Sequence, residues 1–164
     1  MRRVVTGFDA SGNSVFIHDG SAPEVMSGQG FELGALWASL PGVILSAQES
    51  DAALGRTQTV PAPGGTVFTY VVFPPDSGAA GEVDTHAAPS DFHVEDDGRM
   101  HRTDTIDYGV LLQGELWLEL DHGARRKLMP GDCFVQNGTR HAWHNPGPGP
   151  AIICVAMIGA PRGA

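Results

Sequence analysis

The chain has 164 residues, of which 41% are hydrophobic and 18% charged, a balance that excludes a disordered chain and suits one domain with its own core. Its formal net charge is −9 and its ten Lys and Arg residues are scattered, which excludes a nucleic-acid-binding surface. An apolar run of about 18 residues, as a membrane-spanning helix requires, is absent from the sequence. We therefore expect a cytoplasmic protein without a nucleic-acid or membrane partner.

Strand patterns begin at the amino end and dominate the first 75 residues. Short strands are predicted around Val4, at residues 15–17 and at residues 31–38. Thr66–Phe73 is rich in β-branched and aromatic residues and is bounded by Gly and Pro on both sides, which predicts another strand. Residues 76–95 form a Gly-, Ala- and Asp-rich connection without periodicity.

Residues 96–160 hold the most regular succession of strands and turns. Residues 108–112 and 115–120, joined by Gln113-Gly114, predict a β-hairpin. Further strands are predicted at residues 133–136 and 151–158, and these contain Cys133 and Cys154, which we expect to be buried small hydrophobes rather than a disulfide. Many short strands, with Gly and Pro at about a fifth of the chain, predict an all-β sandwich or barrel in one domain.

Two motifs in the region 95–160 resemble the two conserved motifs of the cupin superfamily. The residues at the spacings of the first motif are His101, Asp107 and Gly114, and those of the second are Gly131-Asp132, Gly138, His141 and Asn145. Thr103 stands where the first motif has its second His, Asp107 stands in place of a Glu, and Gln136 replaces a Pro. The resemblance implies a double-stranded β-helix (jelly-roll) barrel in which residues 1–75 add an amino-terminal strand extension, and a homodimer.

The same residues predict a metal centre. His101 and Asp107 would lie about 20 Å apart on one straight strand, so they share a metal only if the chain turns between them, and Asp104-Thr105 offers that turn. With His141 they form a set of two imidazoles and one carboxylate, which suits a divalent metal that could be Fe, Mn, Zn or Ni. Either Gln136 or Thr103 would complete the set.

Other roles stay open in the sequence. Asp107 could instead be a buried carboxylate paired with an arginine, or a turn cap. Either Tyr108 or His144 could move a proton as a catalytic base, and Thr103 and Trp143 could line the substrate pocket. His86 and His93 lie in the connection, where we expect them to be solvated.

The expected function is that of a metal-dependent enzyme that acts on a small oxygen-containing organic molecule by dioxygenase, isomerase or cyclase chemistry. The alternatives are a non-catalytic cupin that binds or senses a small molecule, and a structural dimer whose barrel is merely filled. A homodimer is also expected from the residues, because the amino-terminal strands have more material than one barrel needs and an open sheet edge must be covered.

Overall fold

The structure, a computed structural model, describes residues 1–28, 31–45, 51, 53, 59–76, 92–94 and 100–163. The described part is built from β-strands and one 3₁₀ turn, Asp121–Gly123. The strands run in chain order β1 Arg2–Phe8, β2 Ser14–Ser21, β3 Glu24–Gly28, β4 Phe31–Ser39, β5 Thr66–Phe73, β6 His93–Val94, β7 His101–Arg102, β8 Thr105–Gln113, β9 Leu116–Glu119, β10 Arg125–Leu128, β11 Cys133–Asn137, β12 Ala142–His144 and β13 Ala151–Gly159. The all-β prediction is confirmed.

Two antiparallel sheets enclose the core. The larger has six strands in the order β11-β8-β13-β5-β4-β3, and the smaller has three in the order β10-β9-β12. Leu111 and Ile153 of the larger sheet pack with Leu116 of the smaller one in a single buried cluster, which Trp143 and Leu128 join from its edge. The two sheets therefore face each other across one core, as in a jelly roll.

Strands from both halves of the chain share the larger sheet. β4 and β5 pair with each other, and β5 pairs with β13. The predicted amino-terminal extension is therefore part of the main sheet from β3 onward, while β1 and β2 form a separate two-stranded ribbon. The division of the chain at residues 75 and 95 stays a prediction, since most of residues 76–95 lie outside the described residues.

The predicted hairpin across Gln113-Gly114 is wrong. β8 pairs with β11 and β13, whereas β9 pairs with β10 and β12, so the two strands belong to opposite sheets. Gly114 turns the chain from one sheet to the other with φ 82°, and a Cβ there would lie 2.7 Å from the Ala151 Cα. Only glycine suits this backbone and this close approach, which explains the turn signal in the sequence.

The two cysteines do not form a disulfide, as predicted, and both are free. The expected burial is wrong for Cys133, which is exposed, while Cys154 is half-buried. Both side chains lie on the outward face of the larger sheet, on either side of Val110 in the strand register. None of the described residues lies in a helix with the length and apolarity that crossing a bilayer requires.

Candidate metal centre

His101 and His141 meet where β7 approaches the residue that precedes β12. Each backbone N–H donates to the other residue's carbonyl oxygen, and both N···O distances are 2.9 Å. Residues that exchange both hydrogen bonds in this way project their side chains to the same side. The two imidazole rings accordingly lie with their centroids 4.3 Å apart.

His141 is held as a neutral imidazole. Its side chain is buried, and its Nδ1 lies 3.0 Å from the Thr139 carbonyl oxygen. A carbonyl oxygen only accepts, so Nδ1 carries the proton and Nε2 keeps its lone pair. Burial, together with the neighbouring His101, lowers the pKa of His141 to about 3. A neutral ring fixed by a backbone carbonyl is the state in which histidine binds metals.

Asp107 and Gln136 form a second polar group in the interior. They lie opposite each other in the pairing of β8 with β11, and both are buried, with 7% and 3% of their surface exposed. Within the described residues, neither Asp107 Oδ1 nor Gln136 Nε2 has a hydrogen-bond partner. Buried polar atoms without partners are rare and costly, and they mark positions where a ligand, ion or water is expected.

Two threonines connect the aspartate to the strand that carries His101. The hydroxyl oxygens of Thr103 and Thr105 lie 2.7 Å apart, and both residues are buried. Burial raises the pKa of Asp107 to about 6, and the side-chain hydrogen bond with Thr105 acts in the opposite direction. When Thr105 donates to the carboxylate, Thr103 is the donor to Thr105, so the Thr103 hydroxyl is already engaged.

The bend that this arrangement requires is present. Asp104 lies in a bend between β7 and β8, at the predicted position. Arg162 fixes this bend: its Nε donates to Asp104 Oδ1 at 2.6 Å, and its guanidinium also donates to the carbonyl oxygens of Thr103 and Gly138. Arg162 thus ties the chain that leaves His101 to the turn that leads toward His141.

The imidazoles and the carboxylate remain two separate groups. Among the described residues, no three His, Cys, Asp or Glu side chains lie close enough together to hold a metal ion. The protonation state of His141 and the Asp107 carboxylate fit a metal, whereas the unpartnered atom of Gln136 is its amide nitrogen Nε2, which donates hydrogen bonds and does not bind metals. The structure brings the predicted ligands together as a histidine pair and an Asp107–Gln136 pair.

Aromatic side chains surround the histidine pair. Trp143 meets His141 edge-on at a centroid distance of 5.8 Å, and Phe134 meets Trp143 in the same way at 5.0 Å. Phe92 lies 5.6 Å from His101. Trp143 therefore contacts His141, while its role in a substrate pocket stays a prediction. The sequence did not single out Phe92 or Phe134, because their contacts depend on the tertiary fold.

The two predicted catalytic bases lie elsewhere. Tyr108 is 55% exposed, on the opposite face of β8 from Asp107. His144 follows Trp143 on β12 and so points away from it, and its Nε2 lies 2.6 Å from Glu119 Oε2. Burial opposes the ionised form of Glu119, but hydrogen bonds from His144 and Arg125 hold the pKa of Glu119 below its usual range. His93 is exposed, as predicted, and His86 lies outside the described residues.

Comparison with known proteins gives relatives over most of the chain. No protein-family model matches. The phomopsin biosynthesis cluster protein C' of Diaporthe leptostromiformis is 34% identical over 152 residues, which cover 87% of this chain and 69% of that protein. A cupin-domain-containing oxidoreductase of Hypocrea virens is 46% identical over 46 residues, 28% of this chain and 24% of that protein.

A likeness to solved structures is also found. The DMSP lyase DddQ from Ruegeria pomeroyi superposes with a TM-score of 0.49 at 13% identity, over 87% of this chain and 59% of that chain. The motif spacing, the two facing antiparallel sheets and the named relatives agree: this chain belongs to the cupin superfamily.

Proposed function

We propose that the chain is a metal-dependent cupin enzyme that acts on a small oxygen-containing organic molecule. Dioxygenase, isomerase and cyclase chemistry all remain within this proposal. The relatives named cupin-domain-containing oxidoreductases support the enzyme class. Their matches cover only parts of those proteins, so the substrate is not carried over from them.

The observation that carries the proposal is the pair of adjacent imidazoles. Two histidines far apart in sequence share one side of an antiparallel pair, with ring centroids 4.3 Å apart. A structural role alone would not require that His141 be buried and neutral with its Nε2 lone pair available. Histidine pairs of this kind are common ligands of divalent transition metals.

The residues that would hold the metal are His101 and His141. The Asp107 carboxylate and the amide oxygen of Gln136 form a separate pair among the described residues and would have to approach the imidazoles to complete the ligand set. A bound divalent ion would supply Lewis-acid polarisation of a substrate oxygen and, in the case of iron, redox chemistry. Thr139 fixes the tautomer of His141 through its carbonyl oxygen, and Thr105 orients the Asp107 carboxylate. These contacts set the donor atoms before any ligand arrives, which reduces the cost of binding.

We infer the kind of substrate from the aromatic side chains beside His141. Trp143 and Phe134 pack edge-to-face beside His141, and Phe73 lies 6.0 Å from Trp143. Such a wall excludes water and favours an apolar molecular body whose oxygen atoms turn toward the imidazoles. A small molecule with carbonyl, enol or hydroxyl oxygens on an apolar skeleton fits this combination.

Metal analysis of protein purified without a histidine tag tests the proposal. We expect close to one divalent metal per chain in the unmodified protein, and a loss of most of it in His141→Ala. His122→Asn is the matched control: His122 is an exposed histidine with φ 60°, a conformation that Asn tolerates, and its replacement leaves occupancy unchanged. Equal metal content in His141→Ala and in the unmodified protein contradicts the proposed centre.

Turnover is tested separately. Oxygen consumption is measured with the Fe(II)-loaded protein and a panel of diketones and catechols, and the His141→Ala variant serves as the blank. Consumption that depends on both substrate and His141 supports oxygenase chemistry. If metal binds but no oxygen is consumed, product analysis of the same mixtures tests isomerase and cyclase chemistry.

A second candidate is a non-catalytic cupin that binds or senses a small molecule. It is favoured by the engagement of Thr103 with Thr105, and by the separation of Asp107 from the histidine pair in the described part of the chain. This candidate predicts small-molecule binding to chelator-treated protein with unchanged affinity. Loss of binding after chelation supports the metal-dependent function instead. The cytoplasmic location stays a prediction.

A further inference from the structure

Two side chains on one face of the β1–β2 ribbon carry buried nitrogen atoms that lack partners. Arg3 pairs with Gly20 in the register of the ribbon and Val5 pairs with His18, so Arg3 and His18 are diagonal neighbours on the same face. Both Arg3 Nε and His18 Nε2 are buried, and within the described residues neither has a hydrogen-bond partner. Buried polar atoms of this kind indicate a place where a ligand, ion or water is expected.

The Arg3 side chain crosses from the ribbon to the larger sheet, where only 7% of the residue is exposed. Its Nη1 donates to the Leu36 carbonyl oxygen at 2.7 Å and to Asp51 Oδ1 at 3.0 Å, and its Nη2 donates to Asp51 Oδ2. The pairing of β4 with β5 is irregular between Ala35 and Trp37, and Leu36 is left out of the register. The extra residue of a bulge is unpaired, which explains why its carbonyl oxygen accepts from a side chain.

These contacts leave one edge of the Arg3 guanidinium unused. A guanidinium has five N–H donors. The bonds to Leu36 and Asp51 engage both hydrogens of Nη1 and one of Nη2. The second Nη2 hydrogen and the Nε hydrogen lie parallel on the remaining edge, and Nε has no acceptor among the described residues. Two parallel N–H groups of this kind bind the two oxygens of a carboxylate or phosphate.

Gly20 leaves room on this face of the ribbon. It lies opposite Arg3, and a Cβ built on it would be 3.5 Å from His18 Nε2. Among the described residues, only atoms of the His18 ring lie within 4 Å of that Cβ. The space above Gly20 is therefore flanked by Arg3 and His18, and His18 Nε2 can donate a third hydrogen bond to a ligand there when it carries a proton.

The charges around this space favour an anion with a single charge. Burial opposes the ionised form of Asp51, but hydrogen bonds from Arg3 and from the Ala53 N–H hold the pKa of Asp51 below its usual range. Asp51 is thus ionised and neutralises Arg3. A protonated His18 adds one positive charge, which a bound monoanion balances. A doubly charged phosphate would leave an excess of negative charge beside Asp51.

We propose that Arg3, His18 and the space above Gly20 form a binding site for the carboxylate group of a small organic acid. The two carboxylate oxygens accept from Nε and Nη2 of Arg3, and one of them also accepts from His18 Nε2. The planar carboxylate matches the planar guanidinium edge. The site shares no residue with the proposed metal centre and is independent of the proposed function. Because Arg3 also bonds the Leu36 carbonyl oxygen, a ligand here acts at the contact between the ribbon and the larger sheet.

Titration of the full chain with sodium acetate tests the proposal. Acetate replaces sodium chloride at constant ionic strength, and the ring C–H signals of His18 are followed by NMR. We expect a saturable shift of these signals at millimolar acetate, and an affinity about tenfold lower in Arg3→Lys, because lysine keeps the charge but lacks the two parallel donors. Gly20→Val should weaken binding equally, since it fills the space while leaving Arg3 in place, and its strand backbone accepts valine.

Arg2→Lys is the matched control. Arg2 precedes Arg3 on β1 but points to the opposite face of the ribbon, where it forms an exposed pair with Asp19. We expect its acetate affinity to equal that of the unmodified chain. Urea unfolding identifies the variants that fold, and Gly20→Val decides the outcome if Arg3→Lys does not. The proposal is overturned by the absence of a saturable shift in the unmodified chain, by an unchanged affinity in Gly20→Val, or by tighter binding of phosphate than of acetate.

Discussion

Gln136 lies directly opposite Asp107 in the pairing of β11 with β8, and within the described residues each side chain keeps a buried atom without a hydrogen-bond partner. Two polar residues placed side by side in an apolar interior would ordinarily satisfy each other. Asp107 Oδ1 and Gln136 Nε2 are left without partners, so we expect the protonation of Asp107 to affect the stability of the folded chain.

The stability of metal-free protein should fall as pH rises from about 4 to 6. Burial raises the pKa of Asp107 to about 6, so the folded chain holds a proton there that the unfolded chain has already lost. At pH 7 the difference amounts to about 3 kcal/mol. Asp107→Asn removes it, so urea denaturation at pH 4 and at pH 7 should show the variant gaining stability relative to the unmodified chain at the higher pH. Parallel pH profiles would contradict the buried, protonated carboxyl.

His141 should give the opposite pH dependence. Its pKa is lowered to about 3, so below the ordinary histidine pKa the unfolded chain binds a proton that the folded chain does not. Stability is therefore lost as pH falls from about 6.5 toward 3, at about 1.4 kcal/mol per pH unit. His141→Gln should flatten this part of the profile in metal-free protein. The control is His122→Asn, which should retain the slope of the unmodified chain.

Arg162 should strengthen metal binding without touching the metal. Its hydrogen bonds to the carbonyl oxygens of Thr103 and Gly138 hold the two segments that carry the histidines. We expect Arg162→Ala to weaken metal affinity roughly tenfold, the usual effect of losing a group that orients ligands. Competition with a chromophoric chelator measures this. Arg2→Ala removes an exposed pair with Asp19 on the β1–β2 ribbon and should leave the affinity unchanged.

A methyl group at position 109 should disturb the aromatic wall. A Cβ on Gly109 would lie 2.1 Å from Phe134 Cζ, so the ring must move, and with it the contact of Phe134 with Trp143. We expect Gly109→Ala to cost about 1–3 kcal/mol of stability and to change the tryptophan fluorescence. Gly149→Ala, where nothing lies within 4 Å of the added Cβ, is the control. Unchanged fluorescence in Gly109→Ala would contradict the packing of Phe134 on this glycine.

Adjacent leucines on β8 should differ sharply in their contribution to stability. Leu111 is fully buried in the cluster between the sheets, whereas Leu112 is 46% exposed on the outward side of β8. Leu111→Ala should cost about 2–5 kcal/mol and Leu112→Ala less than about 1 kcal/mol. Chemical denaturation makes the comparison. Equal losses would show that the assigned faces of β8 are reversed.

Much of the fold could be predicted from the sequence because hydrophobic strands bounded by turn residues have a recognisable local pattern. Thr66–Phe73 was predicted with the bounds that β5 has, and residues 151–158 differ from β13 by one residue. β10 was missed because its sequence, Arg-Arg-Lys-Leu, is charged and becomes a strand only by pairing with β9. The predicted hairpin at Gly114 was wrong because a glycine turn indicates that the chain changes direction, but it does not indicate in which sheet the next strand lies.

The histidine pair was predictable for a different reason. His101 and His141 belong to two separate motifs, and the resemblance of both motifs to those of cupins placed the two residues in one site. Their closeness is confirmed by the bridge between His101 and His141. The participation of Asp107 in the same ligand set stays a prediction. The contacts of Phe92 with His101 and of Phe134 with Trp143 could not be foreseen, since ring contacts of this kind depend on where the fold places segments distant in sequence.

The position of β13 constrains the order in which the strands of the larger sheet can pair during folding. This strand comes after the other described strands in sequence, yet it occupies the middle of the larger sheet and pairs with both β8 and β5. Until it is in place, two blocks of strands carry unpaired edges, and the closing contacts join residues distant in sequence. Such topologies fold slowly, and their folding intermediates expose hydrophobic surface and unpaired strand edges. A ribosome-bound chain in which β13 has not yet been synthesised would therefore need protection from aggregation.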